Sequence, residues 1–182
     1  MSDTIIRDAD ESRGWKINDE GEGLVLADAE SRQFHINSRN VKVWSASWEN
    51  ITTAGANDYV FYLKNTGDKD LVVATVQFMS DTATQVEVQE VTGTAGGSPT
   101  DITPVSRKLG VTDTPTATIQ QDPDITGLTN AGIIKFMHIT TANQLYELEI
   151  GSGIIIPKGR AMAILVETAG VTTGLVTVYE ES

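Results

Sequence analysis

The sequence predicts an all-β protein, an antiparallel β-sandwich that is jelly-roll-like, with an N-terminal arm. Apolar side chains alternate with a period of two through most of residues 41–182, as in strands that bury one face. The apolar segments are short, are separated by Gly, Pro, Asn and Asp, and are rich in Val, Ile and Thr, which favour strands over helices. Eight or more such strands predict a sandwich domain over residues 41–182.

The N-terminal arm is predicted to cover residues 1–40, which are rich in Asp, Glu, Ser and Arg. Trp15 and Ile17 alternate before a DEG turn, and Leu24 and Leu26 alternate after it. This pattern is typical of a hairpin. A solvated acidic tail explains the same composition, and the sequence leaves both interpretations open.

The first two strands of the sandwich are predicted from VKVWSASWENI and DYVFYLKNTG. In the first, Trp44 and Trp48 share one face, and that face is the better candidate for burial. In the second, Tyr59, Phe61 and Leu63 alternate, and the NTGD sequence that follows supplies a tight turn.

The next two strands are predicted to differ in burial. LVVATVQFMSD, which begins at Leu71, is apolar on both faces at its start and is predicted to be a central strand. TQVEVQEV is predicted to be half exposed, with Val86 and Val88 facing inward and with Glu87 and Gln89 facing water.

Irregular structure is expected in the middle of the chain. GTAGGSPTD is predicted to be a flexible connection, and ITPVSRKLG an edge strand because Pro104 cannot donate a ladder hydrogen bond. Residues 110–132 are predicted to be mostly loop, with one short strand over residues 117–120. A loop of that length is usually functional or held by a neighbour, so this segment and the arm are the expected contact elements.

The C-terminal third returns to regular strands in GIIKFMHITT, LYELEI, IIIPKGRAMAILVET and GLVTVYEE. In the first of these, Ile134, Phe136 and His138 are predicted to share one face. The domain is therefore predicted to end in a sheet.

Charge and composition exclude several classes of function. The net charge of -12 repels phosphate backbones and anionic membranes, so neither a nucleic-acid partner nor a membrane partner is expected. The absence of Cys excludes disulfides, thiolate metal sites and a cysteine nucleophile. The N-terminal sequence lacks the pattern of a secretory signal, so synthesis in the cytoplasm is expected.

No catalytic constellation is recognisable, and the chain is predicted not to be an enzyme. The two histidines, His35 and His138, are not paired with any particular serine, and no nucleophile-elbow pattern is present. His138 is interpreted as a hydrogen-bonded strand residue. A hydrolase with unrecognised residues is the remaining enzymatic alternative.

No metal or cofactor is predicted either. The acidic turns at 19–22 and 122–124 are rich in oxygen ligands but do not fit the EF-hand register, so solvated turns are preferred to a loop-bound cation. The glycine-rich segment 93–97 is not followed by the Lys-Ser/Thr pair or the helix of a phosphate-binding loop. Four aromatic residues are candidates for exposed sugar-binding side chains: Trp15, Tyr62, Tyr146 and Tyr179.

Several structural motifs carry a family resemblance: the strand-turn-strand YVFYLKNTGDKDLVV, the VTGTAGG segment interpreted as a hairpin tip, TPVSRKLG, and the late strand with its IPKG turn. With these, the chain resembles the β-sandwich virion proteins of tailed bacteriophages, of the capsid decoration or minor structural kind. The arm lies outside the resemblance, which assigns no functional residue.

The resemblance implies a non-enzymatic virion protein, made in the host cytoplasm, that binds the exterior of the phage head as an oligomer and stabilises it. Its implied partners are further copies of itself, with a trimer favoured, and the major capsid protein. A location in the tail or baseplate is an alternative. A carbohydrate-binding module for host adhesion is another.

Overall fold

The computed structural model describes residues 5–7, 14–16, 42–148, 150 and 153–181. The chain divides into two compact units, Met1–Gln33 and Phe34–Ser182. In the first unit, β1 (Ile5–Arg7) pairs antiparallel with β2 (Gly14–Lys16).

The hairpin predicted in the arm is tested only in part. Trp15 lies in a strand, but it pairs with Ile6, a partner that the sequence pattern did not indicate. The predicted second strand around Leu24 and Leu26 lies outside the described residues, as does the predicted boundary at residue 40.

The second unit is built from strands, and no helix is present among its described residues. Its strands are β3 (Val43–Thr52), β4 (Asp58–Asn65), β5 (Leu71–Ser80), β6 (Thr84–Gly96), β7 (Thr100–Asp101), β8 (Val105–Ser106), β9 (Ala117–Gln121), β10 (Thr126–Ile139), β11 (Tyr146–Leu148), β12 (Ile154–Ile156), β13 (Ala161–Val166) and β14 (Val171–Glu180).

Two antiparallel sheets pack face to face. One has the order β10-β6-β13-β4-β9-β7, and the other has the order β11-β5-β14-β3-β8, with β12 also paired to β5. The principal pairs are β3 with β14, β4 with β13, β5 with β12, and β6 with β10. The chain thus folds back on itself like one long hairpin rolled into two sheets, which is the jelly-roll topology. The predicted fold class is confirmed.

The core between the sheets is centred on the aromatic side chains that the alternation predicted to be buried. Trp44 and Trp48 are both buried, and the Trp48 ring lies 5.1 Å from Phe61 and 5.8 Å from Phe78 between centroids. Gly174 of β14 lies opposite Trp48 and leaves room for its ring, because a Cβ there would come within 2.2 Å of Trp48 Cζ2. The prediction that β5 is a central strand is also confirmed.

The prediction of a flexible connection over residues 93–101 is wrong for its first part, because β6 continues to Gly96 and pairs with the start of β10. The two backbones approach closely. A Cβ on Gly93 would lie 2.4 Å from the Gly127 oxygen, and one on Gly127 would lie 2.7 Å from the Thr94 oxygen. Both glycines also have positive φ values, so they permit this close backbone approach and do not form the predicted hairpin tip.

The middle of the chain is therefore more regular than predicted. The short strand around Ile119 exists as β9, but β10 begins at Thr126, so the stretch from residue 110 to 132 is not mostly loop. Pro104 precedes β8, which lies at the edge of its sheet as predicted.

Candidate functional site

The outer face of the β10-β6-β13-β4 sheet carries an ordered set of polar side chains. Cross-strand register places Tyr59, Leu165, Glu87 and Phe136 in one row across four strands. The prediction that Glu87 faces water is wrong, because this side chain is only 7% exposed. Gln89, two positions further along β6, is only 2% exposed.

Burial of these two side chains is compensated by a hydrogen-bonded chain. The Tyr59 hydroxyl donates to Gln89 Oε1 at 2.6 Å, and Gln89 Nε2 donates to Glu87 Oε2. Gln85 Nε2 donates to Glu87 Oε1 at 2.8 Å and to Glu167 Oε1 at 2.7 Å. Burial, followed by the charge of Glu87, raises the pKa of Tyr59. Through side chains of β6, these hydrogen bonds link Tyr59 of β4 to Glu167, the residue that follows β13, so the network ties the three segments together.

Next to this network, edge strand β10 exposes large apolar side chains. Ile133 and Phe136 are opposite Gln89 and Glu87 and share the outer face with His138, whose ring lies 5.6 Å from Phe136 between centroids. Phe136 is 56% exposed. A register shift between Ile133 and Lys135 breaks the alternation that placed Ile134 on the face of Phe136, so that prediction is corrected.

A groove of about 240 Å³ lies where β10 approaches β12, at the same edge of the sandwich. It is lined by Glu90, Ile134, Ile154, Ile155, Ile156, Pro157, Arg160, Ala161 and Met162. Ile155 is 54% exposed at its mouth. The two charged lining residues neutralise each other, since Arg160 Nη2 lies 2.9 Å from Glu90 Oε1. Ile133, Ile134, Phe136 and Ile155 together are called the β10–β12 surface below.

A second apolar feature lies at the opposite edge, beyond β8. Leu109 is 96% exposed, in a turn closed by a hydrogen bond from Val111 N to the Lys108 oxygen. Gly110 supplies the positive φ of 81° in this turn. The segment Ser106–Val111 is called the Leu109 turn below.

The Leu109 turn is anchored at its base. Arg107 N donates to the Val43 oxygen at 2.9 Å, and Lys108 N donates to Ser106 Oγ at 3.2 Å. The segment that follows is held by the buried Trp44, whose Nε1 donates to the Asp113 oxygen at 2.8 Å. These contacts anchor the base of the turn and the segment that follows it, while the Leu109 side chain at its tip is exposed.

The acidic turn at residues 122–124 places Asp124 near the carboxylates of Asp58 and Asp122. Burial, and then the charges of Asp58 and Asp122, raise the pKa of Asp124. Asp122 Oδ1 accepts a hydrogen bond from Asp124 N, as in a self-contained turn. Among the residues that the structure describes, no group of three or more His, Asp or Glu side chains is placed to hold a metal ion.

The aromatic residues that are candidates for sugar binding differ in their exposure to solvent. Tyr62 is buried on the outer face of the sheet, so the prediction of an exposed ring there is wrong. Tyr146 is half-buried, and its hydroxyl accepts a hydrogen bond from Thr141 N at 3.0 Å. Tyr179 is half-buried, and the side chain of Trp15 lies outside the described residues. His35 also lies outside them, and His138 is an exposed strand residue.

The residue that sequence reasoning missed is Phe136. The IIKF sequence around Phe136 predicts a strand with one buried face. That face is exposed because β10 lies at the edge of its sheet. A strand position in a sheet is decided by the other strands, so no local signal could identify it.

Comparison with known proteins adds no relative: no family model, curated protein or solved structure matches the chain. Within the described part of the chain, no helix combines the length and apolar character needed to cross a membrane.

Proposed function

We propose that this protein is a non-enzymatic structural component of a bacteriophage virion, which binds the exterior of the head as an oligomer and stabilises it. The observation that carries the proposal is the β10–β12 surface. A long edge strand with exposed apolar side chains is an aggregation hazard unless a partner covers it. The resemblance of the strand and turn motifs to phage decoration proteins supplies the kind of partner.

The expected mechanism is clamping of adjacent capsid subunits by buried apolar area. Immobilising one protein on another costs about 4–15 kcal/mol, and each Å² of buried apolar surface contributes about 25 cal/mol, so roughly 160–600 Å² must be covered. An aromatic side chain buries about 150–250 Å² in total, and Phe136 is already partly covered. One β10–β12 surface is therefore a modest contribution, and several linked copies would bind far more tightly than one.

The proposal is tested by adding the purified protein back to heads that have been stripped of it. The wild-type protein is expected to rebind and to raise the temperature at which the heads rupture. Phe136→Ser is expected to rebind more weakly, whereas Leu145→Ser, which alters an exposed leucine outside the groove lining, is the matched control.

Three outcomes would count against the proposal. The first is wild-type protein that does not bind stripped heads. The second is binding that Phe136→Ser leaves unchanged, which would remove the β10–β12 surface from the contact. The third is a label on the protein that electron microscopy finds only on the tail or baseplate, which would retain a virion role but reject the head.

A further inference from the structure

Two glutamate carboxyls lie close together on the outer face of the β10-β6-β13-β4 sheet. Gln85 Nε2 donates to Glu87 Oε1 at 2.8 Å and to Glu167 Oε1 at 2.7 Å, so the two carboxyls share one amide nitrogen. Among the described residues, no Lys, Arg or His side chain forms an ion pair with either of them. Neighbouring carboxylates without a cation repel each other, and this repulsion favours the binding of a positive charge beside them.

An exposed aromatic ring lies next to these carboxyls. Phe136 of β10 is directly opposite Glu87 in the cross-strand register and is more than half exposed. Residues paired in this way have Cβ atoms about 4.5–5.5 Å apart on one face of the sheet. The His138 ring meets Phe136 at 72°, so it covers at most one of the two faces of that ring. An open aromatic face attracts a cation through the ring quadrupole.

We propose that Glu87, Phe136 and Glu167, called the acidic aromatic patch below, bind an arginine side chain of a partner protein. Arginine fits both parts of the patch, because its planar guanidinium stacks on an aromatic face and donates in a fork to a carboxylate. Lysine carries a compact, strongly hydrated charge that makes neither contact as well. The inference deepens the proposed function and rests on it, since it gives the chemistry of the capsid surface that Phe136 would meet.

The two carboxyls of the patch contribute in different ways. Glu167 is half-buried and follows the end of β13, so its carboxyl can be reached from solvent. Glu87 is almost fully buried, and both of its oxygens accept hydrogen bonds from glutamine amides. We therefore expect Glu167 to receive the guanidinium directly and Glu87 to add negative potential without a direct contact.

Net charge favours a basic partner as the occupant of the patch. The chain has a formal charge of -12, so it attracts a basic surface and repels a second copy of itself. The attraction weakens as salt is added, because the Debye length falls from about 30 Å at 0.01 M to about 8 Å at 0.15 M ionic strength. A purely apolar contact along β10 would not weaken in this way. The salt dependence of binding therefore distinguishes the two kinds of contact.

The test uses the full chain and a peptide probe, acetyl-GLRLG-amide, with binding followed by amide NMR shifts. The peptide is expected to shift resonances around Phe136 and Glu167, and to bind more weakly as salt is added. A second peptide has citrulline in place of arginine, which keeps the shape and removes the charge. It is expected to bind roughly 3- to 30-fold more weakly, because it loses both a cation–π contact and an ion pair. A third peptide, with lysine, is expected to lie between the two.

Three variants separate the parts of the patch. Phe136→Leu keeps an apolar side chain but removes the ring, and should weaken binding of the arginine peptide about two- to fivefold. Glu167→Gln keeps an acceptor for the Gln85 amide but removes the charge, and should weaken binding by up to about fivefold at low salt. Glu147→Gln is the matched control, because Glu147 also accepts from a glutamine amide, Gln77 Nε2 at 2.8 Å, but lies on the other sheet. It should bind like the wild type.

Equal affinity for the arginine and citrulline peptides would overturn the inference. A Glu167→Gln variant that melts like the wild type and binds the arginine peptide as tightly would also overturn it, and equal affinity for the lysine peptide would overturn the choice of arginine. Stripped heads separate the inference from the proposed function. If the peptide binds as expected but the protein does not bind heads, only the proposed function fails. If Glu167→Gln binds heads as tightly as the wild type at every salt concentration, only the inference fails.

Discussion

Asn65 is the residue whose replacement tests most directly how the groove is held. It ends β4, is fully buried, and its side chain makes three hydrogen bonds. Nδ2 donates to the Lys69 oxygen at 2.7 Å and to the Ile156 oxygen at 2.8 Å, and Oδ1 accepts from Gly67 N at 2.9 Å. One amide thus joins the β4–β5 turn to β12, the strand that forms one wall of the groove.

Replacement by alanine removes all three hydrogen bonds and leaves their partners without one. A typical hydrogen bond contributes about 0.5–1.5 kcal/mol net, and a buried polar group left unsatisfied costs about 1–3 kcal/mol. Taking the three lost hydrogen bonds at about 1 kcal/mol each, we expect Asn65→Ala to lower the free energy of unfolding by about 3 kcal/mol. In a domain of this size, that corresponds to a melting temperature lower by about 6–12 °C.

Replacement of Asn65 by aspartate keeps the shape of the side chain but replaces its hydrogen-bond donor by an acceptor. In Asn65→Asp, a carboxylate oxygen faces the carbonyl oxygens of Lys69 and Ile156, so both donors are lost and a charge is buried. This variant should be less stable than Asn65→Ala at neutral pH. Its deficit should shrink as the pH falls, because the protonated carboxyl can donate one hydrogen bond again.

Urea unfolding followed by tryptophan fluorescence measures both variants, at neutral pH and at pH values where the folded wild type persists. Asn130→Ala, at an exposed position of β10, is the matched control and should stay within about 0.5 kcal/mol of the wild type. The reasoning is refuted if Asn65→Ala costs less than about 1 kcal/mol. It is also refuted if the aspartate variant shows the same pH dependence as the wild type.

Substitutions at Gly174, Asp124 and Gly93 test the close packing of the sheets and the charge of one turn. Gly174→Ala should destabilise the fold by about 1–3 kcal/mol in urea, and Trp48→Phe in the same chain should reduce that cost by freeing space for the new methyl group. The pKa of Asp124 is raised, so its carboxyl stabilises the fold below the ordinary carboxyl pKa, and this contribution is lost as the pH rises. Asp124→Asn should therefore raise the melting temperature at neutral pH, and the difference from the wild type should shrink towards pH 3. Gly93→Ala should loosen the start of β10, seen as faster amide exchange there, because its Cβ would meet the Gly127 oxygen.

The class of fold was predictable because it depends on local patterns. Alternation placed Trp44 and Trp48 in the core, and Pro104 marked the strand at the edge. The predictions that were wrong concern residues whose environment is set by contact with another strand. Gly93 looked like part of a flexible linker, since its close approach to a partner 34 residues away is invisible in a local window.

The candidate site was less predictable for the same reason. Glu87 has the local pattern of a water-facing residue, and its burial depends on amides and a tyrosine supplied by other positions and strands. Phe136 has the pattern of a buried residue, and its exposure follows from the order of strands in the sheet. In both cases the sequence specifies the side chain, but the topology decides its environment.

The lengths of the five edge strands found among the described residues of the sandwich favour contact through side chains over strand addition. β7, β8, β11 and β12 have only two or three residues each, too short to template a neighbouring strand, and β10 has 14. Three register shifts interrupt the pairing of β10 with β6, and such bulges twist an edge away from regular hydrogen bonding. Backbone pairing along β10 is thereby disfavoured while its apolar side chains remain exposed. A partner that contacts this edge is therefore expected to bind the exposed apolar side chains and the groove, and not to extend the sheet.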